Sequence, residues 1–276
     1  MSQTTLAQPE ISLPPTQDEL PYDDGIPMET QRHKDQIEIF INALIPWLEK
    51  RDNGYVGGNM FVYFSLEQAR NQDFRGPDFF AALGVPKGER KSWVVWQEGK
   101  APDVVIELLS ASTAQRDKTE KKRIYQNQLR VSEYFWYDPF NSEDWEGFFL
   151  EGGVYQPIKA NDRGQRISRA LDLALVRWHG SFKGTTATWL RWATLDGELL
   201  PLPEEIAKAA EQRAETAQQR AKTAQQRAET AQQRAETAER ARQDAIPRLL
   251  EMGLTPEQVA EALGASLEEV RKMGDG

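Results

Sequence analysis

Asp78, in the string RGPDFF, follows Gly76 and Pro77 at the start of a β-like run, which puts its carboxylate at the exposed end of a strand. Glu107 interrupts the otherwise apolar run VVIELLS, and a buried carboxylate is costly unless it is paired or metal-bound. Two carboxylates from neighbouring strands plus a lysine are the minimum for metal-assisted phosphodiester hydrolysis. That reaction needs a cation against the phosphate, a metal-bound water as nucleophile, and a second positive group for the charge that develops. Taken alone, these residues also admit a structural reading, in which Glu107 faces solvent from an edge strand or answers a core arginine such as Arg123.

Composition narrows the chemistry. The chain of 276 residues has no cysteine and two histidines, His33 and His179, which excludes thiolate sites and leaves carboxylates that favour hard cations, magnesium or manganese. A formal charge of −9 argues against a protein that coats nucleic acid, because such binding draws on many Lys and Arg contacts to phosphate. A local patch survives this: from Arg116 to Arg130 six basic residues (Arg116, Lys118, Lys121, Lys122, Arg123, Arg130) stand against Asp117 and Glu120. A charge run of this kind is ordinarily a solvated helix face, and its position beside the two acids is what gives it functional interest. No apolar run approaches the roughly 20 residues a membrane span needs, and the first residues lack a leader pattern, so a cytoplasmic protein is expected.

The elements that must position these groups follow from periodicity. Residues 1–25 are rich in Pro, Gln, Thr and acids and read as a flexible tail. Between Glu29 and Lys50, Ile37, Phe40, Ile41, Leu44, Ile45 and Leu48 recur at helical spacing and predict an amphipathic helix. Strands are predicted at 60–65, 78–85, 104–110 and 134–138, followed by a hairpin from GFFLEG and GVYQPI. VVIELL should be covered on both faces, and the basic patch should ride a helix over 112–128. Leu171, Leu173, Leu175, Val176 and Trp178 form a last core element. The order predicts an α/β (α+β) domain over 26–203, a mixed central sheet flanked by helices.

After Pro203 the composition changes. Residues 204–246 repeat AETAQQR, with Arg213, Arg220, Arg227 and Arg234 one heptad apart and alanines such as Ala214, Ala217, Ala221 and Ala224 in a 3/4 alternation. This predicts a long helix able to form a homodimeric coiled coil, or else a single solvated spacer. Residues 247–276 form a short helical hairpin, with Gly253 and Gly264 as stops and Thr255 and Ser266 as caps. The hairpin resembles a helix-turn-helix, but its second helix opens Leu267-Glu268-Glu269, whose acids repel phosphate, so packing or protein contact is expected of it.

The string RGPDFF, followed by APDVVIELLSASTAQRDKTEKKRIYQ and RVSEYFWYDP, resembles the Uma-two family of restriction endonuclease-like proteins, abundant in cyanobacteria and grouped with the PD-(D/E)XK nuclease superfamily. The resemblance spans roughly Met28 to Pro203. It implies a restriction-endonuclease-like fold and a metal-dependent DNA endonuclease with Asp78 and Glu107 as metal ligands. The superfamily pattern has lysine two residues after the acid, where this chain has Leu109. The family implies instead a lysine on the following helix, in a string matched by Asp117, Lys121 and Tyr125, whose spacing of four puts them along one helix face. Glu29 and His33 match positions where members often carry a polar pair, and Glu133 with Asp138 could orient Lys121 or a water or, equally, be strand-end charges. The competing expectation is an inactive nuclease fold that serves as a binding or scaffold module through its heptad helix.

Overall fold

Thr30 accepts a hydrogen bond from the amide of His33 and so caps α1 (Gln31–Glu49), whose residues Ile37, Phe40, Leu44 and Leu48 are buried as the helical spacing requires. The structure, a computed structural model, describes residues 14–22, 30–70 and 76–274. Contacts divide the chain into two units, Met1–Glu205 and Ile206–Gly276.

In the first unit α1 is followed by β1 (Tyr55–Gly57), β2 (Val62–Tyr63), α2 (Leu66–Arg70), β3 (Phe79–Ala82), β4 (Trp93–Val94), α3 (Val95–Glu98) and β5 (Val104–Leu108). Then come a helix α4 over 114–129, β6 (Glu133–Tyr137), β7 (Trp145–Glu151), β8 (Val154–Pro157), β9 (Arg166–Ser168), β10 (Leu173–Phe182) and β11 (Thr185–Ala193). The central sheet has the order β1-β3-β5-β6-β7-β8, with β5 and β6 parallel and the other pairs antiparallel. A mixed sheet flanked by helices is the predicted fold class.

Side-chain alternation splits the sheet into two buried faces. Phe79, Ala81, Val104, Ile106, Leu108, Phe135 and Tyr137 pack with α1 and with Trp189 and Trp192 of β11. Phe80, Ala82, Val105, Leu109, Tyr134 and Trp136 pack with Ile124, Tyr125 and Leu129 of α4. Both faces of β5 are therefore covered, as its continuous apolar character predicts. The β7–β8 hairpin turns at Gly152 and Gly153, both with positive φ (59° and 87°), which two-residue hairpin turns require.

Three differences from the sequence expectations have physical causes. The described part of the expected flexible tail, residues 14–22, is docked. Leu20 is buried against Phe61, Tyr63 and Val94, the Tyr63 hydroxyl donates to the Pro21 carbonyl (2.6 Å), and the Trp96 indole donates to that of Pro15 (2.9 Å). An aromatic surface from distant residues compensates the ordering that composition alone could not. Second, the element expected to end at Trp178 runs to Phe182 and forms a hairpin with β11, an alternating Thr/Trp strand absent from the sequence reading. Third, the heptad helix α5 (Pro203–Glu251) passes beyond 246, because Ile246, Leu249 and Leu250 pack with Val259 and Val270.

The first turn of α5 is held by Arg191, whose fully buried guanidinium makes two hydrogen bonds to Glu205 (2.9 and 2.8 Å) and a third to the Leu200 carbonyl (2.9 Å). Arg191→Ala removes a large buried side chain and this fork, while Glu205 keeps enough exposure to rehydrate. A destabilisation of about 3 kcal/mol is expected in denaturant unfolding, and a loss below about 1 kcal/mol would show the pair to be incidental.

In the second unit the heptad alanines of α5 are exposed, and Thr216, Thr223, Thr230 and Thr237 donate to carbonyls four residues earlier. Two short helices follow: α6 (Pro256–Leu263), with a Thr255/Gln258 capping box, and α7 (Leu267–Gly274). Arg271 pairs with Glu257 and Arg242 with Glu269, so these two arginines already face carboxylates. Among the described residues no helix is long and apolar enough to cross a membrane.

Candidate active site

Phe79 lies opposite Ile106 and Phe80 opposite Val105, so the antiparallel register carries Asp78 opposite Glu107. Glu107 pairs in turn with Trp136, and Trp136 with Glu146. Asp78, Glu107, Trp136 and Glu146 therefore form one row across four strands on the face that α4 covers, since cross-strand partners share a face.

Glu107 is fully buried and receives two donors. Lys121 Nζ lies 3.0 Å from its Oε2 and the Tyr125 hydroxyl donates to its Oε1 at 2.7 Å, while Asp78 accepts from the Glu107 carboxyl when the latter is protonated. The Leu108 amide donates to Asp78 Oδ2 at 2.7 Å, fixing that side chain against β5. Lys121 also lies 2.8 Å from Oδ1 of Asp117, itself buried in the first turn of α4. Helix α4 contains two π-helical stretches, Asp117–Lys121 and Tyr125–Leu129. Such turns interrupt the regular helix and are frequent at functional sites. Here Asp117, Lys121 and Tyr125 still meet at Glu107. Lys122, one residue on, is turned away onto the ring of Phe148, 3.3 Å from its centroid.

The electrostatics are those of an acid-rich cluster. Burial pushes Asp78 up to about 6 and Glu107 up to about 7, and Lys121 only partly opposes this. Burial and the neighbouring Glu107 also raise Asp117. Burial pulls the Lys121 ammonium down, but Glu107, Asp117 and Asp78 outweigh it and hold the lysine charged. The buried carboxyls of Glu107 and Asp117 and the half-buried one of Asp78, set against one ammonium, leave a formal excess of two negative charges when all are ionised. A shared proton relieves part of that excess, and a divalent cation would relieve all of it.

The donor set fits a hard ion of the magnesium kind, which keeps several waters and needs only one or two carboxylates. Among the described residues no three His, Asp or Glu side chains form a metal-ligating cluster, so such an ion would rest on Asp78 and Glu107 with water completing its shell.

The other residues singled out in the sequence are dispersed. His33 is buried at the start of α1 and its Nε2 lies 3.1 Å from the carbonyl of Leu109, two residues beyond Glu107, while Nδ1 meets the Thr30 hydroxyl at 2.8 Å. Glu29 falls outside the described residues. Glu133 does not join the cluster. It pairs with Val104 on β5, three positions from Glu107 and on the opposite face, and its carboxylate accepts from the amides of Arg169 (2.7 Å) and Ala170 (3.1 Å) and the Ser168 hydroxyl. Its expected role in orienting Lys121 gives way to that of tying down the turn after β9. Asp138 accepts from the amides of Phe140 and Asn141 and shapes the β6–β7 connection. The sequence reading overlooked Tyr134, whose hydroxyl donates to the Asp117 carbonyl at 2.9 Å and whose ring lies 5.2 Å from that of Tyr125. Strand parity was the available signal, because Tyr134 shares the face of Trp136.

A crystal structure of "a putative nuclease belonging to DUF820" from Anabaena variabilis is similar to this chain at 15% identity, covering 58% of this chain and 86% of that one with a TM-score of 0.39. No curated protein matches the chain. The family model described as "Uma2: Putative restriction endonuclease" matches residues 11–179, more than half of the sequence and the whole stretch that carries Asp78, Glu107, Asp117, Lys121 and Tyr125. The chain belongs to the Uma2 family.

Proposed function

We propose that the protein is a divalent-metal-dependent endonuclease that hydrolyses DNA phosphodiester bonds in the cytoplasm, with Asp78 and Glu107 as metal carboxylates and Lys121 as the catalytic cation. The observation that carries this reading is the convergence of Asp78, Glu107 and Lys121, from the start of β3, from β5 and from α4, into one acid-rich cluster. A bound magnesium or manganese ion supplies charge against the phosphate and an acidified water.

The chain's own groups do the rest. Lys121 directs two N–H groups at Glu107 and Asp117 and keeps a third for a phosphate oxygen, since an ammonium has three donors. Asp117 holds the lysine in place, Tyr125 fixes the orientation of the Glu107 carboxylate, and the Leu108 amide fixes Asp78. His33 anchors the end of β5.

Catalysis is assigned to residues 26–203 and assembly to the segments 204–246 and 247–276. The exposed alanine seam of α5 favours homodimerisation, and sedimentation equilibrium of the full chain tests it. The same seam favours the second reading, a nuclease fold kept as a binding module. Supercoiled plasmid with magnesium or manganese separates the two. Metal-dependent nicking, abolished by chelator, is expected, together with magnesium binding in calorimetry that Asp78→Ala removes. Intact plasmid at high protein concentration and no magnesium affinity would favour the binding module.

A further inference from the structure

Beside the carboxylate pair, the row of side chains continues through Trp136 to Glu146, and α4 lays two lysines over this continuation. Lys118 lies 5.8 Å from the centroid of Trp136, and its ammonium is committed to Asp144 at 2.5 Å. Lys122 lies 5.6 Å from Trp136 and 3.3 Å from Phe148, and among the described residues it forms no ion pair. The carboxylate nearest to it in the row, Glu146, is held by Arg166 at 3.0 Å. Burial lowers the pKa of Lys122, with Glu146 acting against that, as befits a partly desolvated ammonium held on aromatic faces without a bonded anion.

The position has a distance attached to it. Trp136 is on the strand next to Glu107, and Phe148, on the one after, lies opposite Tyr134 and so two residues along the sheet from the row, which puts Lys122 on the order of 10 Å from the metal carboxylates. A nucleic acid strand whose scissile phosphate lies at Glu107 and Lys121 would bring its neighbouring phosphate to this place. We propose that Lys122 is a phosphate-binding positioning residue, which grips the DNA backbone one nucleotide from the bond that is cut. The assignment rests on the nuclease reading above. It differs from the part played by Lys121 in having no contact with the metal carboxylates. Trp136 and Phe148 serve as the platform that holds the ammonium at a fixed height.

The test is binding of a fluorescein-labelled DNA duplex and of its single strand to the full chain, by anisotropy in chelator, across a series of salt concentrations. Lys122→Met keeps the apolar stem over Phe148 and removes the charge. It should weaken binding roughly fivefold and lower the slope of log K against log salt by about one, with unchanged thermal stability and unchanged magnesium affinity. Lys122→Arg should restore both affinity and slope, which a purely packing role would not demand of it. If the parent binds and cleaves DNA while Lys122→Met keeps the parental affinity and slope, the clamp is overturned and the nuclease reading stands. If Lys122→Arg is as weak as Lys122→Met at equal stability, the clamp is likewise overturned. A parent that neither binds nor cleaves DNA, or that binds RNA alone, removes the clamp together with the DNA reading.

Discussion

Glu107→Gln should slow DNA cleavage by at least about a hundredfold and, in the same protein, raise the stability of the metal-free fold. The first effect follows from the two tasks proposed for the carboxylate, to ligate the cation and to set a negative charge against Lys121, of which a neutral amide does the first weakly and the second not at all. The second follows from the environment of the residue. Ionised Glu107 is disfavoured by burial and by Asp78 more than Lys121 and Tyr125 favour it, which is why its pKa is pushed up to about 7. Glutamine imitates the protonated acid, retains an oxygen for the Tyr125 hydroxyl, and leaves Lys121 its contact with Asp117. At a pH of about 8 a gain on the order of 1–3 kcal/mol is expected in urea unfolding with chelator, because the parent must hold an ion there that the variant lacks. A group that serves structure alone would give the opposite result, with stability and cleavage falling together. Loss of cleavage accompanied by a destabilised fold would therefore show that Glu107 is a core residue whose removal damages the protein.

The two carboxylates were legible because each breaks a local rule: an acid closes the turn before FFAA, and an acid interrupts an apolar strand. What the sequence could not tell was which of two such acids counts. Glu133 also opens a run of buried residues, yet it lies on the other face and near the far end of the sheet. Only the pairing of Val104 with Glu133, and of Glu107 with Trp136, separates their roles. Lys121 was reached through family resemblance together with the spacing of four along α4. The spacing survived although π-helical stretches changed the local winding, and no residue type announces those stretches. The docked segment 14–22 and strand β11 were invisible for a shared reason. Leu20, Trp189 and Trp192 are buried by partners far away in sequence, and a polar or mixed segment carries no mark of a surface that waits for it.

Metal-free protein should become less stable as the pH rises from about 4 to about 7, and magnesium should reverse that trend. An ordinary paired carboxylate has a depressed pKa and gives stability that is lost in acid. Asp78 and Glu107 are raised instead, from 3.8 to about 6 and from 4.5 to about 7, chiefly by burial. Across that window the folded chain binds more protons than the unfolded one, so the stability supplied by the protonated pair disappears as the pH climbs through the folded values. The carboxyls are hydrogen-bonded to each other and titrate as a pair, so a single broad loss of a few kcal/mol is expected rather than two resolved steps. Lys121 remains charged throughout, so the change belongs to the acids. In the proposed function a divalent ion would replace the shared proton. Magnesium affinity should therefore rise about tenfold per pH unit between the pair's two titrations, where binding releases one proton, more steeply below both, where it releases two, and level off above them. Urea unfolding at several pH values, in chelator and in millimolar magnesium, would show two curves that coincide in acid and diverge towards neutrality. Curves that run parallel at every pH would mean that the cation, if it binds, rests elsewhere than on Asp78 and Glu107.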